Sequence, residues 1–374
     1  MLPFPINPGL EGFPVYQPGR PIEEVARELG LPSKDIIKLA SNENPLGPSP
    51  AALAALRKGI DNINLYPDGN AFYLRQRLSQ KLKIEPDHLI LGNGSNEIIE
   101  FVGHALLSVD PKGSPPIEPP EVIVSQYCFA VYPLVARLFN ATLITVPALN
   151  YGHNLQAMLE AVTPRTRIIF IANPNNPTGT FVSPAELFSF VNEVPEHVLL
   201  VCDEAYIEFL VDAPDFLPLL RAGRKPNLLL MRTFSKIYGL AGLRVGYGIG
   251  TRELIGALEK VRQPFNLNSL AQAAALAALD DVEHVCKTSA NNSLGLTFFS
   301  EACRALDLHF LPSAANFILV RVGDGQKVFE QMQQRGIIVR PMGGYQLPEW
   351  IRISIGTPTQ NERCLDVLKT TLGR

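Results

Sequence analysis

Four stretches of this 374-residue chain carry side chains able to do chemistry, each next to a run that reads as a strand. In RTFSKIYGLAGLRVGY, residues 232–247, Lys236 is flanked by Thr233 and Ser235 and followed by the small or apolar Ile237, Gly239, Leu240, Ala241 and Gly242. These neighbours predict a partly buried amine. Burial disfavours the ammonium form and leaves a nucleophile able to join a carbonyl. A lone lysine is more often solvated surface, but Arg244, eight positions on, is placed to clamp a phosphate. In VCDEAYIEF, residues 201–209, Asp203 and Glu204 end a strand. A carboxylate at the C-terminal end of a parallel strand faces the crevice where ligands bind, although a helix cap or surface acid fits the same pattern. In LGNGSNE, residues 91–97, Gly92, Asn93 and Gly94 join a strand to a helix. Backbone N–H groups there suit a phosphate, with Ser95 adding a hydroxyl; a helix cap with turn glycines is the alternative. A dinucleotide fingerprint fails because Glu97 takes the place of its third glycine, and no Gly-Lys-Ser/Thr completes a P-loop. The fourth stretch, NPNNPTG at 173–179, runs straight out of the apolar residues 168–172.

Together these pieces require one ligand with a phosphate, an aldehyde for Lys236 and a ring nitrogen for Asp203. Pyridoxal 5′-phosphate meets all three demands. The chain also resembles the fold-type I pyridoxal-phosphate-dependent aminotransferases, and within them the branch acting on L-histidinol phosphate. The resemblance rests on LASNENPLGPSP (39–50), YPD (66–68), GNGSNE, YCFAVYP (127–133), NPNNPTG, DEAYIEF, the lysine stretch, RQPFNLNSLAQAAALAAL (262–279), PSAANF (312–317), and GIIVRP with IRISIGT (336–341, 351–357). It implies that Lys236 joins the cofactor and moves the proton, that Asp203 keeps the pyridine nitrogen protonated, and that Asn176 and Tyr206 hydrogen-bond the ring oxygen. It implies that Tyr127 stacks on the ring and that Ser95, Asn96, Thr233, Ser235 and Arg244 cradle the phosphate. Tyr66 would reach the cofactor of a neighbouring subunit, which implies a homodimer with shared sites. Arg352 would bind an amino-acid carboxylate, Arg340 the substrate phosphate, and Tyr16 and Asn42 lie in motifs that close over the substrate. Asn96 departs from the family's usual Asp, so a charge is lost beside the phosphate site; the Pro-rich residues 111–120 replace a short polar turn.

The implied reaction is transfer of the amino group between L-histidinol phosphate and 2-oxoglutarate, giving imidazole-acetol phosphate and L-glutamate in histidine biosynthesis. An aromatic amino-acid aminotransferase and a decarboxylase of O-phospho amino acids are the rivals on this scaffold. A transcription regulator borrowing the fold would need an added DNA-binding domain, and the arm before Leu39 is short and not basic.

The elements that must position these residues alternate along the chain. Strands are expected at 88–91, 122–124, 143–146, 168–172, 198–202 and 228–231, with helices at 51–57, 74–82, 98–107, 129–139, 254–261 and 271–279. Short apolar runs separated by helices predict an α/β fold with a mostly parallel sheet sandwiched by helices. After Asp280 and Asp281 a long helix, a strand at 317–321, a helix at 328–335 and strands at 337–340 and 351–355 predict a smaller α+β domain. The expected division is an N-terminal arm over 1–45 with one helix at 21–29, a cofactor-binding domain over 46–280 and a small domain over 281–374. Residues 111–120 read as a surface loop, and there is no internal repeat.

The bulk composition agrees with this reading. Hydrophobic residues make up 46% and charged residues 18%, as in ordinary globular proteins. A net charge of −3 gives no general pull toward nucleic acid or anionic membrane. The five cysteines (Cys128, Cys202, Cys286, Cys303, Cys364) are scattered, with no CxxC pair or Cys/His ligand cluster, and read as reduced thiols. No apolar run is long enough to span a bilayer, and the N-terminus lacks a signal-peptide pattern. The expected compartment is the cytoplasm.

Overall fold

The computed structural model describes Asn7 and residues 19–108 and 118–374. Tyr16 and most of the Pro-rich stretch 111–120 lie outside the described residues.

Seven strands form the main sheet, in the order Leu89–Gly92, Gly246–Ile249, Leu228–Thr233, Leu199–Asp203, Thr166–Ala172, Glu121–Ser125, Thr142–Val146. All neighbours are parallel except Gly246–Ile249, which runs antiparallel to both of its own. That strand begins at the end of the lysine stretch and was not expected as a separate element. It forms because the chain reverses after Lys236 through the turn at Ala241–Leu243 and returns beside the strand it has just left.

The strands are apolar on both faces because each face meets a helical layer. Leu89, Leu91, Ile169, Ile171, Leu200, Cys202, Leu228 and Leu230 pack into one core, and Ile90, Ile168, Phe170, Leu199, Val201, Leu229 and Met231 into the other. The alternation has period two along every strand, as the pleat requires. Several helices start at sequences that signal a cap. Ser49, Ser183 and Thr357 each precede a proline at the first helical position, and Ser183 and Thr357 complete capping boxes with Glu186 and Gln360. The helices Leu155–Glu160, Pro184–Glu193 and Pro358–Leu372 were not among the expected elements.

The long helix Val282–Ala305 leads into a four-stranded antiparallel sheet with Phe317–Arg321 and Trp350–Ser354 at its centre. The expected single strand over 337–340 is two. Ile337–Ile338 pairs in parallel with Ile37–Lys38, while Arg340–Pro341 pairs with Trp350–Ser354. The chain changes partner at Val339, so no single ladder can run through it. The N-terminal strand Ile37–Lys38 thereby joins the C-terminal lobe.

Candidate active site

The parallel strands end together, and their C-terminal ends open into one cavity of about 250 Å³. Ala172 and Asp203 are register partners, so the turn after Ala172 and the carboxylate of Asp203 lie side by side. Lys236, Asp203, Tyr206, Ser95, Asn96, Asn176, Thr233, Ser235 and Arg244 all line this cavity, although they are scattered over 150 residues of sequence.

Asp203 lies at the floor and is 6% exposed. The hydroxyl of Tyr132 donates to its Oδ2 at 2.6 Å, and the N–H of Ala205 donates to Oδ1 at 3.1 Å. Burial pushes the Asp203 carboxyl up, while the Tyr132 hydroxyl, the Ala205 N–H and Lys236 pull it back. Glu204 points the other way along the strand and pairs with Nε of Arg232 at 2.7 Å, so it is a structural ion pair outside the cavity.

Lys236 directs its Nζ at the carbonyl of Ser41, 3.4 Å away. Burial and the nearby Arg352 and Arg244 lower its amine to about 8, against the opposing pull of Glu43 and Asp203. The hydroxyl of Tyr206 accepts a hydrogen bond from Nδ2 of Asn42 at 2.9 Å, which leaves its own proton free to point into the cavity. Burial is the main cause that pushes this phenol up to about 12. Arg352, 6% exposed, donates to Oδ1 of Asn176 at 2.6 Å and to the Ala40 carbonyl at 3.1 Å. The arginine donor assigns the amide oxygen, so Asn176 presents its NH₂ toward the cavity.

At the other end, Gly94 precedes the helix Ser95–Leu106 with φ 79°, and no side chain caps that helix. Ser95 and Asn96 of its first turn line the cavity together with Thr233, Ser235 and Arg244. Thr233 Oγ1 donates to Ser235 Oγ at 3.0 Å, and the guanidinium of Arg244 donates to Ser235 Oγ at 3.3 Å. A Cβ on Gly94 would occupy the space of that guanidinium. N–H groups, hydroxyls and one arginine make a phosphate cradle.

Five expected residues are absent from this lining: Tyr127, Asn42, Tyr66, and Arg340 and Arg352 of the C-terminal sheet. Tyr127 is absent from the lining; its ring stacks on Tyr151 at 5.9 Å and its carbonyl holds Asn175. The aromatic wall beside Asp203 is Phe129. The cause is the turn before the helix Val131–Leu138, which carries residue 129, not 127, over the sheet end. Asn42, 1% exposed, lies behind Tyr206 rather than on the cavity. Tyr66 is 83% exposed, stacks on Phe265 and does not reach its own chain's cavity. Sequence reasoning missed Tyr132 and Phe129. Both lie within the quoted YCFAVYP, and a spacing of three that puts two rings on one side of a turn was the available signal.

Residues 34–368 match the family Aminotransferase class I and II. The chain belongs to this family. It is 51% identical over 358 residues to "Histidinol-phosphate aminotransferase" of Akkermansia muciniphila, covering 96% of each chain. It is 47% identical over 365 residues to "Histidinol-phosphate aminotransferase 1" of Nitrosococcus oceani, covering 97% of this chain and 96% of that one. Among solved structures it resembles the histidinol-phosphate aminotransferase of Sinorhizobium meliloti in complex with pyridoxal-5′-phosphate, with TM-score 0.87, 26% identity and coverage of 98% and 97%. The aminotransferase cavity fits pyridoxal 5′-phosphate, the cofactor of this family. Its buried carboxylate lies at the floor with hydroxyl and N–H partners, a lysine of lowered pKa faces it, and the phosphate cradle lies within the same lining. No helix among the described residues is long and apolar enough to cross a membrane.

Proposed function

We propose that this aminotransferase passes an amino group between L-histidinol phosphate and 2-oxoglutarate, in the histidine-forming direction from imidazole-acetol phosphate and L-glutamate. The observation that carries the reading is the strand register. Arg340 and Arg352 are direct partners across antiparallel strands, so their side chains leave the sheet on one face. Two guanidinium forks side by side suit a dianionic phosphate, and one alone suits a carboxylate. The names of the curated relatives support the same substrate.

Bound pyridoxal phosphate would carry the amino group and act as the electron sink of the reaction. Nζ of Lys236 takes the proton from the amine-bearing carbon of the substrate and returns it during transfer. Asp203, held by Tyr132, would keep the ring nitrogen protonated. Tyr206 and Asn176 would donate toward the ring oxygen, and Phe129, in place of Tyr127, would cover the ring face. Residues 19–45 of the expected arm and residues 281–374 would form the lobe that brings Arg340 and Arg352 to the cofactor domain over 46–280. The active unit is a homodimer in which Tyr66 reaches the partner's site. The compartment is the cytoplasm, where thiols such as the exposed Cys286 stay reduced.

Arg340→Leu tests the substrate. Loss of one partner of a charged contact costs about 2–5 kcal/mol, so kcat/KM for histidinol phosphate should fall roughly 30-fold to a few thousand-fold. Phenylalanine, which has no phosphate, should be nearly unaffected. The second reading, an aromatic aminotransferase, has its own support in the Tyr127, Tyr151 and Trp350 rings beside the site. Equal loss or no loss for both substrates would favour it.

A further inference from the structure

The phosphate end of the substrate has its arginines, but nothing so far recognises the imidazole. Among the described residues, Glu43 is the one carboxylate besides Asp203 in the cavity lining. Asp203 is engaged by Tyr132 and Ala205 at the floor; Glu43 lies with Ser41 on another segment, the one that Lys236 faces.

The backbone holds Glu43 there from both sides. Asn42 adopts φ 56°, its N–H donates to Ser354 Oγ at 2.8 Å, and its carbonyl accepts from Asn316 at 3.0 Å. Asn44 donates to the Ile237 carbonyl at 2.9 Å and to Thr288 Oγ1 at 3.1 Å. With both neighbours anchored, the left-handed turn at Asn42 puts Ser41 and Glu43 on the cavity and its own side chain behind it. Lys38 donates to Oε1 of Glu43 at 3.0 Å, and among the described residues Oε2 has no hydrogen-bond donor. A carboxylate with one oxygen paired to a lysine and the second available is an acceptor for an N–H.

We propose that Glu43 is the specificity residue for the substrate ring, accepting a hydrogen bond from the imidazole N–H and so selecting it over a phenyl ring of similar size. This rests on the histidinol-phosphate reading of the site. The Glu43 side chain is 46% exposed in the open site, so it is the bound ring that would cover it. An acceptor covered without a donor is left unpaired, which is how such a site rejects an analogue lacking the N–H. The proposal also assigns the opposite charges of the site: arginines at the phosphate end, an acid at the ring end.

The test compares imidazolylpropyl phosphate with phenylpropyl phosphate, two unreactive probes that share the phosphate and differ in the ring. Calorimetric titration into the cofactor-loaded wild type should show tighter binding of the imidazole probe. In Glu43→Leu that preference should shrink about tenfold to a hundredfold, with the phenyl probe held as well or better. Glu43→Gln, whose carbonyl still accepts, should lose less. The kcat/KM for histidinol phosphate should fall in the same order and that for phenylalanine should not. Borohydride reduction should fix the same amount of cofactor to each variant, which shows that the site has stayed assembled. An unchanged probe preference, or an equal fall for both probes, would overturn the role of Glu43 while leaving the arginine reading intact. Failure of both phosphates to bind the wild type, with phenylalanine still transaminated, would overturn both.

Discussion

At the scale of single residues, the chemistry depends on two buried groups, Lys236 and Asp203, whose acidities burial moves from the ordinary ones. Lys236 is lowered to about 8 because burial and two arginines disfavour its ammonium form. Only the neutral amine attacks an aldehyde, so capture of pyridoxal phosphate by the cofactor-free protein should speed up about tenfold per pH unit below 8 and level off above it. Stopped-flow absorbance checks this; a plateau only near the ordinary lysine value would contradict the lowered pKa. Lys236→Ala should fold but retain no cofactor by mass after borohydride reduction. Asp203 needs the Tyr132 hydroxyl to stay ionised in its buried position. Tyr132→Phe should therefore cost about 1–3 kcal/mol and slow turnover roughly tenfold. In an Asp203→Asn background, itself slow, it should cost much less, because the charge that needed the donor is gone. Denaturant unfolding of the four proteins measures this coupling.

At the scale of elements, the site depends on strand ends and on one helix start. Gly94 turns the chain with φ 79° and makes room for Arg244. In Gly94→Ala the backbone at φ 79° is strained and Arg244 must move, so the protein should lose about 1–3 kcal/mol of stability. The variant should lose about tenfold to a hundredfold in its preference for pyridoxal phosphate over unphosphorylated pyridoxal. Fluorescence titration with both compounds reads this directly, and an unchanged ratio would remove Arg244 from the cradle. Most of these elements were legible from short apolar runs between helical stretches. The antiparallel Gly246–Ile249 was not, because four residues with two glycines carry little strand signal. Nor was the split at Val339, since a run of β-branched residues reads the same whether it pairs with one strand or two.

At the scale of the whole molecule, Ile63, Leu65, Tyr66, Phe72 and Tyr73 leave a run of large apolar side chains exposed, with Phe265 stacked on Tyr66. A patch of this kind marks an interaction surface. If it joins two copies, sedimentation should give twice the 41.0 kDa of one chain. Ile63→Glu with Leu65→Glu should shift that mass toward one chain and reduce turnover, as Tyr66 would no longer reach the second site. A wild-type monomer with full activity would contradict shared sites.

The sequence by itself determined the chemistry. Lys236, Asp203, Arg244 and the turn Gly92–Ser95 lie at or near strand ends, so their types and places in the chain were enough to call for one phosphorylated aldehyde, while the role of Asn176 came from the family resemblance. Tertiary structure alone decided which side chains face that ligand and what holds them. Tyr127 and Phe129 are two residues apart on a turn, and only the packing of that turn against the sheet sends one to Tyr151 and the other to the cavity. Tyr132 meets Asp203 across 71 residues of chain, and Arg352 meets Asn176 across 176. Asn42 gives its position in a substrate motif to Glu43 because a left-handed backbone turns its side chain inward. Local sequence sets which conformations a turn can adopt, but the direction of a side chain leaving it is chosen by contacts with residues far away in the chain.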